Sequence, residues 1–292
     1  MNTLHLGLSY NCNMRCKHCF VDKQHDNLDM NKLKEAIDYL DQHGLFFIIY
    51  TFGEPFLAKT FWSISKYVSS KNIVQIIMTN GSLINSEIII KLKERGINNI
   101  YISLDSIDEI KHDRNRNLKG SYKKAIKSLK LLVENNFNVG IAVTINDENV
   151  LDMEKFVDLG RSIGVKSISF LRQRNSNKLI KLKFIKEYEE FYKKYICNNK
   201  QMNILFHDLT LLKITNELYM QNRIDKNTYE KYMDMNSCHY KSTISIEPNG
   251  NVKHCNLINN KLGNLNEENI REILEKGSEA NECFSYCTEL SK

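Results

Sequence analysis

No apolar run in the sequence is long enough to cross a bilayer. The longest, Leu45–Tyr50 with its neighbours, falls far short of the roughly 20 residues that a spanning helix needs. The first ten residues have no basic region, no long apolar segment and no small-residue cleavage site, so they do not resemble a signal peptide. Internal repeats and low-complexity segments are also missing. These absences predict a cytoplasmic protein without a membrane partner.

The charge balance is mild. Hydrophobic residues make up 42% of the chain and charged residues 26%, which suits a globular protein with a core. The formal net charge of +6 does not indicate nucleic-acid binding, and we interpret the basic residues between Arg172 and Lys186 as a solvated helix face. At 292 residues, the chain could hold one barrel with an appendage.

Three of the eight cysteines lie together near the N-terminus, at Cys12, Cys16 and Cys19. In a chain expected to be intracellular, such thiols indicate metal binding or catalysis rather than disulfides. The spacing Cys-x3-Cys-x2-Cys is one ligand short of a filled tetrahedral site, so a cluster held by these thiolates would keep one iron open. The alternatives are a zinc knuckle completed by His18 or a distant residue, or three unrelated buried thiols.

The remaining cysteines are one isolated thiol and a group near the end of the chain. They are Cys197, Cys238, Cys255, Cys283 and Cys287. We interpret Cys197 as a buried helix thiol, with hydrogen-atom donation as the alternative. The other four could hold a second metal centre.

Six strand–helix alternations extend from Leu4 to Leu171, and their strands are apolar. This pattern predicts an α/β fold, a partial (β/α)6 TIM-like barrel, with a flat doubly wound sheet as the alternative. Both place chemistry at the carboxyl ends of the strands, where polar residues and glycines collect in this chain. The stretches at these ends are the cysteine run, Gly53-Glu54-Pro55, Asn80-Gly81, Ser103–Asp105, Asn146 and Leu171-Arg172.

The residue pattern changes after residue 175 and again at Cys238. We therefore predict three segments, the barrel over 1–175, a second over 176–237 and a third over 238–292. The middle segment has helical patterns rich in Lys, Glu and Tyr, with neither Gly nor Pro, and we expect a helical connector. In the last segment, Thr243–Ile246 and Val252–His254 flank Pro248-Asn249-Gly250, which predicts a β-hairpin. A short helix is expected within Leu265–Gly277.

The N-terminal motif resembles the cluster motif of the radical S-adenosylmethionine (SAM) superfamily. His18 stands where that family usually has an aromatic ring close to the adenine. Gly53-Glu54-Pro55 resembles the family's Gly-Gly-Glu-Pro element, which holds the methionine amino group, although Phe52 replaces the first glycine. Ser103-Leu104-Asp105, with the His112–Ser121 stretch, resembles the subgroup of peptide-modifying enzymes and anaerobic sulfatase maturases.

The resemblance implies a [4Fe–4S] cluster on Cys12, Cys16 and Cys19, whose open iron chelates SAM. It implies that Glu54 binds the ammonium group, that Ser103 and Asn80 contact the ribose or the carboxylate, and that Arg116 pairs with the carboxylate. Backbone near Asn146 and Leu171 is expected to frame the adenine. The residues expected to bind the cofactor are therefore His18, Gly53, Glu54, Asn80, Ser103, Arg116, Asn146 and Leu171.

The end of the chain resembles a SPASM-type auxiliary-cluster domain in its shortened "twitch" form. The resemblance implies one auxiliary [4Fe–4S] cluster on Cys238, Cys255, Cys283 and Cys287, with a zinc site as the alternative. A closed cluster would accept or relay an electron, which favours a net oxidation of the substrate. If Cys197 donated hydrogen, a redox-neutral epimerisation would be possible instead.

We therefore expect a radical SAM oxidoreductase that generates a 5′-deoxyadenosyl radical and modifies a peptide or protein, as RiPP-type or sulfatase-type maturases do. A radical SAM dehydrogenase or epimerase acting on a small molecule, such as an aminocyclitol, is the main alternative. A non-catalytic iron–sulfur electron carrier is the other. The expected partners are the peptide or protein substrate and an external electron donor, such as flavodoxin or ferredoxin.

Overall fold

The computed structural model describes residues 1–21, 24–175, 178–179, 181–198, 202–236, 242–255 and 261–277. Within these ranges no helix is both long enough and apolar enough to cross a membrane. The predicted ligands Cys238, Cys283 and Cys287 lie outside the described residues.

The described residues form strands and helices that alternate through the first two thirds of the chain. The strands are β1 Thr3–Gly7, β2 Phe47–Thr51, β3 Val74–Thr79, β4 Asn99–Ser103, β5 Asn138–Ile145, β6 Ser167–Arg172, β7 Arg174–Asn175, β8 Lys178–Leu179, β9 Asn203–His207, β10 Thr243–Ile246, β11 Asn251–Lys253 and β12 Lys261–Asn264. The helices are α1 Met30–Gln42, α2 Phe61–Ser69, α3 Ser86–Glu94, α4 Glu109–Arg116, α5 Ser121–Glu134, α6 Met153–Ile163, α7 Ile185–Asn198, α8 Leu212–Met220, α9 Lys226–Asn236 and α10 Ile270–Gly277.

The chain divides into two compact units that are interleaved in sequence. The first unit contains Met1–Arg15, Cys19–Tyr101 and the described residues of His239–Phe284. Its strands follow the order β12-β11-β10-β1-β2-β3-β4, in which β1 pairs in parallel with both β2 and β10. The predicted hairpin is present, because β10 and β11 pair antiparallel.

The second unit contains Cys16–His18 and the described residues of Ile102–Cys238. Strand β4 begins in the first unit and ends in the second, where the strand order is β4-β5-β6-β9. Both β5–β6 and β6–β9 are parallel pairs. The predicted α/β class with a mostly parallel sheet is confirmed.

Helix α1 buries an apolar face, whereas the buried residues of α4 are the polar His112, Asn115 and Arg116. In α1 the buried residues include Leu33, Ile37 and Leu40, and the Asp29 side chain accepts hydrogen bonds from two free amides of the first turn. Each fully buried leucine or isoleucine contributes about 2 kcal/mol through the area that it removes from water. The helix has stopped before Gly44, where φ is +88°.

The expected helical connector over 176–237 contains a strand, β9, that the sequence patterns did not predict. This strand pairs with β6 in parallel register, with Phe206 opposite Phe170. Only Ile204 and Phe206 of this strand are buried. Its apolar run, Ile204-Leu205-Phe206, is short and lies between helices rich in Lys and Tyr. The predicted segment boundaries themselves stay a prediction.

Candidate functional site

Glu54 lies at the carboxyl end of β2 in the first unit, and its side chain is 1% exposed. Its Oε1 accepts from the Thr79 hydroxyl at 2.6 Å, and its Oε2 accepts from the Asn80 amide nitrogen at 2.9 Å. Both donors lie where β3, the neighbouring parallel strand, ends. These bonds, with a longer one of 3.5 Å from the Phe56 amide to Oε1, hold the Glu54 carboxylate in place.

Gly53 brings the Glu54 segment against the start of the cysteine loop. A Cβ on Gly53 would lie 2.4 Å from the Asn11 carbonyl oxygen and 2.5 Å from that of Ser9, so no larger residue fits without backbone movement. The Glu54 amide donates to the same Asn11 oxygen at 2.7 Å. The close approach therefore fixes where the first cysteine of the motif lies relative to Glu54.

Cys12 is half-buried, and two N–H groups are directed at its sulfur. The Met14 amide donates to Sγ at 3.4 Å, and Asn80 Nδ2 lies 3.9 Å from it. The same Asn80 group donates to Asn13 Oδ1 at 2.9 Å. Because N–H donors stabilise a thiolate and tune a metal bound to it, the surroundings of Cys12 suit an iron–sulfur ligand.

Cys16 has a cationic neighbour within the second unit. Nη1 of Arg116 lies 3.6 Å from Cys16 Sγ, while its Nη2 lies 2.6 Å from Oδ2 of Asp105. The Lys17 amide donates to the Asn115 carbonyl at 2.9 Å, which ties the loop to the end of α4. An adjacent guanidinium favours the thiolate, the form in which cysteine binds iron.

Asp105 is fully buried and holds a group of charged side chains together. Its Oδ1 accepts from the Thr144 amide at 3.1 Å, and its Oδ2 also lies 3.3 Å from His18 Nε2. Burial raises the pKa of this carboxyl, but the Arg116 charge and then His18 outweigh that effect and hold it below its usual range. Asp105 is therefore an anion that offsets the buried Arg116 charge.

His18 contacts Asp105 in this structure, a partner that the motif did not predict. Burial lowers the pKa of His18, the Asp105 charge opposes that effect and Arg116 reinforces it. The expected contact of this ring with adenine stays a prediction.

The other predicted cofactor residues lie at strand ends of the second unit. Ser103 ends β4 and Leu171 lies near the end of β6, and both side chains are half-buried. Asn146 follows β5, where its Oδ1 accepts from the Glu148 amide at 2.9 Å and its Nδ2 donates to Gln173 at 3.0 Å. The side chain of Asn146 therefore stabilises a turn, while the expected role was assigned to backbone nearby.

The predicted residues thus fall into two groups, each organised within its own unit. Cys12, Cys19, Gly53, Glu54 and Asn80 belong to the first unit, whereas Cys16, His18, Ser103, Arg116, Asn146 and Leu171 belong to the second. Sequence reasoning assigned no role to Thr79 or Asp105. A run of Ser-Leu-Asp at the end of a strand was the available signal for Asp105.

The thiols of the N-terminal motif and the donors beside them fit a cluster of the iron–sulfur type. Cys16, like Cys12, is half-buried, and Cys19 is exposed. Over the described ranges, the His, Cys, Asp and Glu side chains do not form a group of three or more placed to hold a metal ion. The fit therefore depends on the thiols, on the N–H groups directed at Cys12 and on the guanidinium beside Cys16.

Residues 7–160 match the radical SAM superfamily. The match covers more than half of the chain, and the protein belongs to this family. The Cys-x3-Cys-x2-Cys run, the buried Glu54 and strands β2 to β5 lie within the matched region.

Three curated relatives illustrate the range of this similarity. The chain is 34% identical to Fe-coproporphyrin III synthase of Methanosarcina barkeri over 52% of its own length and 39% of the relative's. It is 29% identical to the subtilosin biosynthesis protein AlbA of Bacillus subtilis, over 56% of this chain and 37% of AlbA. The chain thus covers about two fifths of these two proteins. The chain is 30% identical to an uncharacterized protein of Methanocaldococcus jannaschii, over 97% of its own length and 96% of the relative's.

Solved structures share the fold at low sequence identity. Streptococcus suis SuiB bound to its precursor peptide SuiA superposes with a TM-score of 0.73 at 18% identity, over 93% of this chain and 64% of SuiB. The structure of anSMEcpe with bound AdoMet gives a TM-score of 0.71 at 18% identity, over 100% of this chain and 84% of anSMEcpe. The fold of this chain is therefore that of radical SAM structures.

Proposed function

We propose that the protein cleaves SAM reductively and uses the resulting radical to oxidise a peptide or protein substrate. The observation that carries the proposal is the three-cysteine motif, followed in the chain by a buried carboxylate at the end of the second strand. A [4Fe–4S] cluster on Cys12, Cys16 and Cys19, when bound, would supply the electron that breaks the C–S bond of SAM and gives a 5′-deoxyadenosyl radical.

The protein's own contribution would be binding and positioning. Glu54, held by Thr79 and Asn80, offers oxygen atoms to the methionine ammonium group. Arg116 offers positive charge beside Cys16, and Asp105 offsets that charge where the site is shielded from water. Because these groups are already held by hydrogen bonds, they would need little reorganisation when SAM binds.

Support for a peptide substrate comes from the relatives. AlbA is named for the biosynthesis of a bacteriocin, and a mycofactocin maturase of Mycobacterium tuberculosis is 29% identical over 54% of this chain. SuiB binds a precursor peptide in its structure. We infer a maturase, and we assign the electron-accepting role to an auxiliary cluster on Cys255 together with Cys238, Cys283 and Cys287.

A small-molecule enzyme is the second candidate. The specific observation that favours it is the identity of 34% with Fe-coproporphyrin III synthase, the highest among the three relatives described above. On this alternative, the substrate would be a porphyrin rather than a peptide.

Anaerobic incubation separates the two candidates. The reconstituted protein is supplied with SAM, dithionite and the short peptides encoded beside its gene, and the peptide mass is followed. A loss of hydrogen mass that requires SAM supports the maturase. If no peptide changes, and Fe-coproporphyrin III shifts its Soret absorption on titration with the protein, the porphyrin alternative replaces it.

A further inference from the structure

Phe52 has a backbone conformation that bulky residues rarely adopt. Its φ is +60°, in the left-handed region that glycine enters freely and phenylalanine enters only at an energetic cost. The other non-glycine residues described in this region are asparagines, Asn117, Asn136 and Asn222, which tolerate it better. A strained residue persists only where its surroundings hold it, and such residues concentrate at functional sites.

The ring of Phe52 is buried in a slot that the sequence leaves open for it. A Cβ on Gly7 would lie 2.7 Å from Cδ2 of Phe52, so an alanine at position 7 would collide with the ring. The side chain of Phe52 is only 6% exposed. The strained backbone of Phe52 and the absence of a side chain at Gly7 therefore both allow the ring to occupy this buried position.

Within the first unit, that ring contacts both ends of the cysteine loop. The Tyr10 ring lies 6.4 Å away, edge-on at 87°, and the Phe20 ring lies 6.1 Å away at 58°. Tyr10 precedes Cys12 by two residues, and Phe20 follows Cys19 directly. Aromatic pairs at these distances attract one another beyond the area that they bury.

We propose that Phe52 is a positioning residue that clamps the two ends of the cysteine loop and restricts access of water and oxygen to it. Glycine would satisfy the backbone at this position without strain, but it could not connect Tyr10 with Phe20. The clamp itself depends on geometry within one unit. Its value for a cluster depends on the proposed function, because that function places iron on the loop.

The test compares backbone hydrogen exchange over residues 10–20 and the decay of the iron–sulfur absorption in air. The anaerobically reconstituted protein is compared with Phe52→Gly, which removes the ring and relieves the backbone. We expect both rates to rise about tenfold, since the loop loses two aromatic contacts that oppose its local opening. Phe20→Ala, at a side chain that is 48% exposed, should raise both rates without threatening the fold.

Two control variants separate the clamp from general effects. Asn136→Gly relieves the same backbone strain at an exposed position of the second unit, and it should leave both rates unchanged. Phe137→Ala removes a buried ring from the same turn, which measures the effect of lost stability alone. Equal acceleration in Phe137→Ala, or unchanged exchange in Phe52→Gly and Phe20→Ala, overturns the proposal.

The outcomes also distinguish this inference from the proposed function. If the wild-type chain assembles no cluster, the function fails, and exchange over residues 10–20 still decides whether Phe52 clamps the loop. If clusters assemble in all variants and decay at one rate, the function survives and the shielding role of Phe52 is wrong.

Discussion

Nη2 of Arg116 lies 2.6 Å from Oδ2 of Asp105, and their side chains are 9% and 0% exposed. Two opposite charges are thus paired where water cannot screen them, and the same guanidinium reaches Cys16 Sγ through Nη1. Burying both ions costs free energy that their mutual attraction offsets only while both remain. The pair therefore links the stability of the second unit to the surroundings of a predicted cluster ligand.

Replacing Arg116 by Gln should destabilise the fold by about 3–5 kcal/mol, because the Asp105 carboxylate is left buried without its counter-ion. Urea unfolding of the metal-free chain measures this. The matched control is Arg114→Gln, which breaks an exposed pair with Glu148 at 3.0 Å and should cost at most about 1 kcal/mol. Equal losses in the two variants would contradict the importance assigned to the buried pair.

Replacing Glu54 by Gln should weaken SAM binding by roughly 10- to 100-fold, because a neutral amide loses a charge-assisted hydrogen bond to the ammonium group. The amide would also direct a donor at Thr79 or at the Asn80 amide. Calorimetric titration of the reconstituted protein measures the dissociation constant. Glu87→Gln, at an exposed residue paired with Lys91, is the control. An unchanged dissociation constant in Glu54→Gln would remove Glu54 from the SAM site.

Stability should fall between about pH 6.5 and pH 4 because of His112. Burial lowers the pKa of this histidine to about 4, and the Arg116 charge acts in the same direction. An unfolded histidine titrates near 6.5, so in this window the unfolded state binds more protons and the fold loses up to about 3 kcal/mol as pH falls.

The variant His112→Asn isolates this effect. In the native protein the Asp105 backbone amide donates to Nδ1 of His112 at 3.3 Å. The side-chain oxygen of the introduced asparagine can accept this hydrogen bond instead. The slope of unfolding free energy against pH should become shallower in the variant, although the lowered pKa of His18 acts with the same sign. The pKa of the Asp105 carboxyl is held below its usual range, so its contribution to stability is lost only as the pH falls below the pKa of an unfolded aspartate. An identical slope in both proteins would be the contrary result.

Much of this site could be predicted because parallel strands present their carboxyl ends together. Glu54 and Asn80 were found because each follows the end of such a strand. The start of helix α3 follows from such a local signal, since the Asn85 side chain accepts from the Ile88 amide and caps the helix. Local patterns of apolar residues and caps carry this information.

The features of the fold and the site that could not be predicted depend mostly on contacts between residues distant in sequence. The hydroxyl of Thr79 points at Glu54 from inside a strand, and nothing in the pattern of that strand marks it. Strand β9 has only two buried residues, so its existence depends on pairing with β6. The left-handed conformation of Phe52 could not be predicted either, because phenylalanine rarely adopts it.

Replacing Cys255 by Ala tests the division of labour between two clusters. Because one ligand of the proposed auxiliary cluster is removed, iron content should fall by about four per chain. SAM cleavage should stay largely intact, while product formation stops. Iron analysis and product assays on one preparation measure the two effects. Equal loss of SAM cleavage in Cys255→Ala and Cys16→Ala would contradict separate roles.

Release of 5′-deoxyadenosine tests the central claim most directly. The reconstituted protein is incubated anaerobically with SAM and dithionite, and the nucleoside is measured by chromatography. Wild-type protein and the control Cys197→Ser, at a thiol outside both proposed clusters, should release it, and Cys16→Ala should release none. Full iron loading without 5′-deoxyadenosine in the wild type, or release by Cys16→Ala at the wild-type rate, would contradict the account.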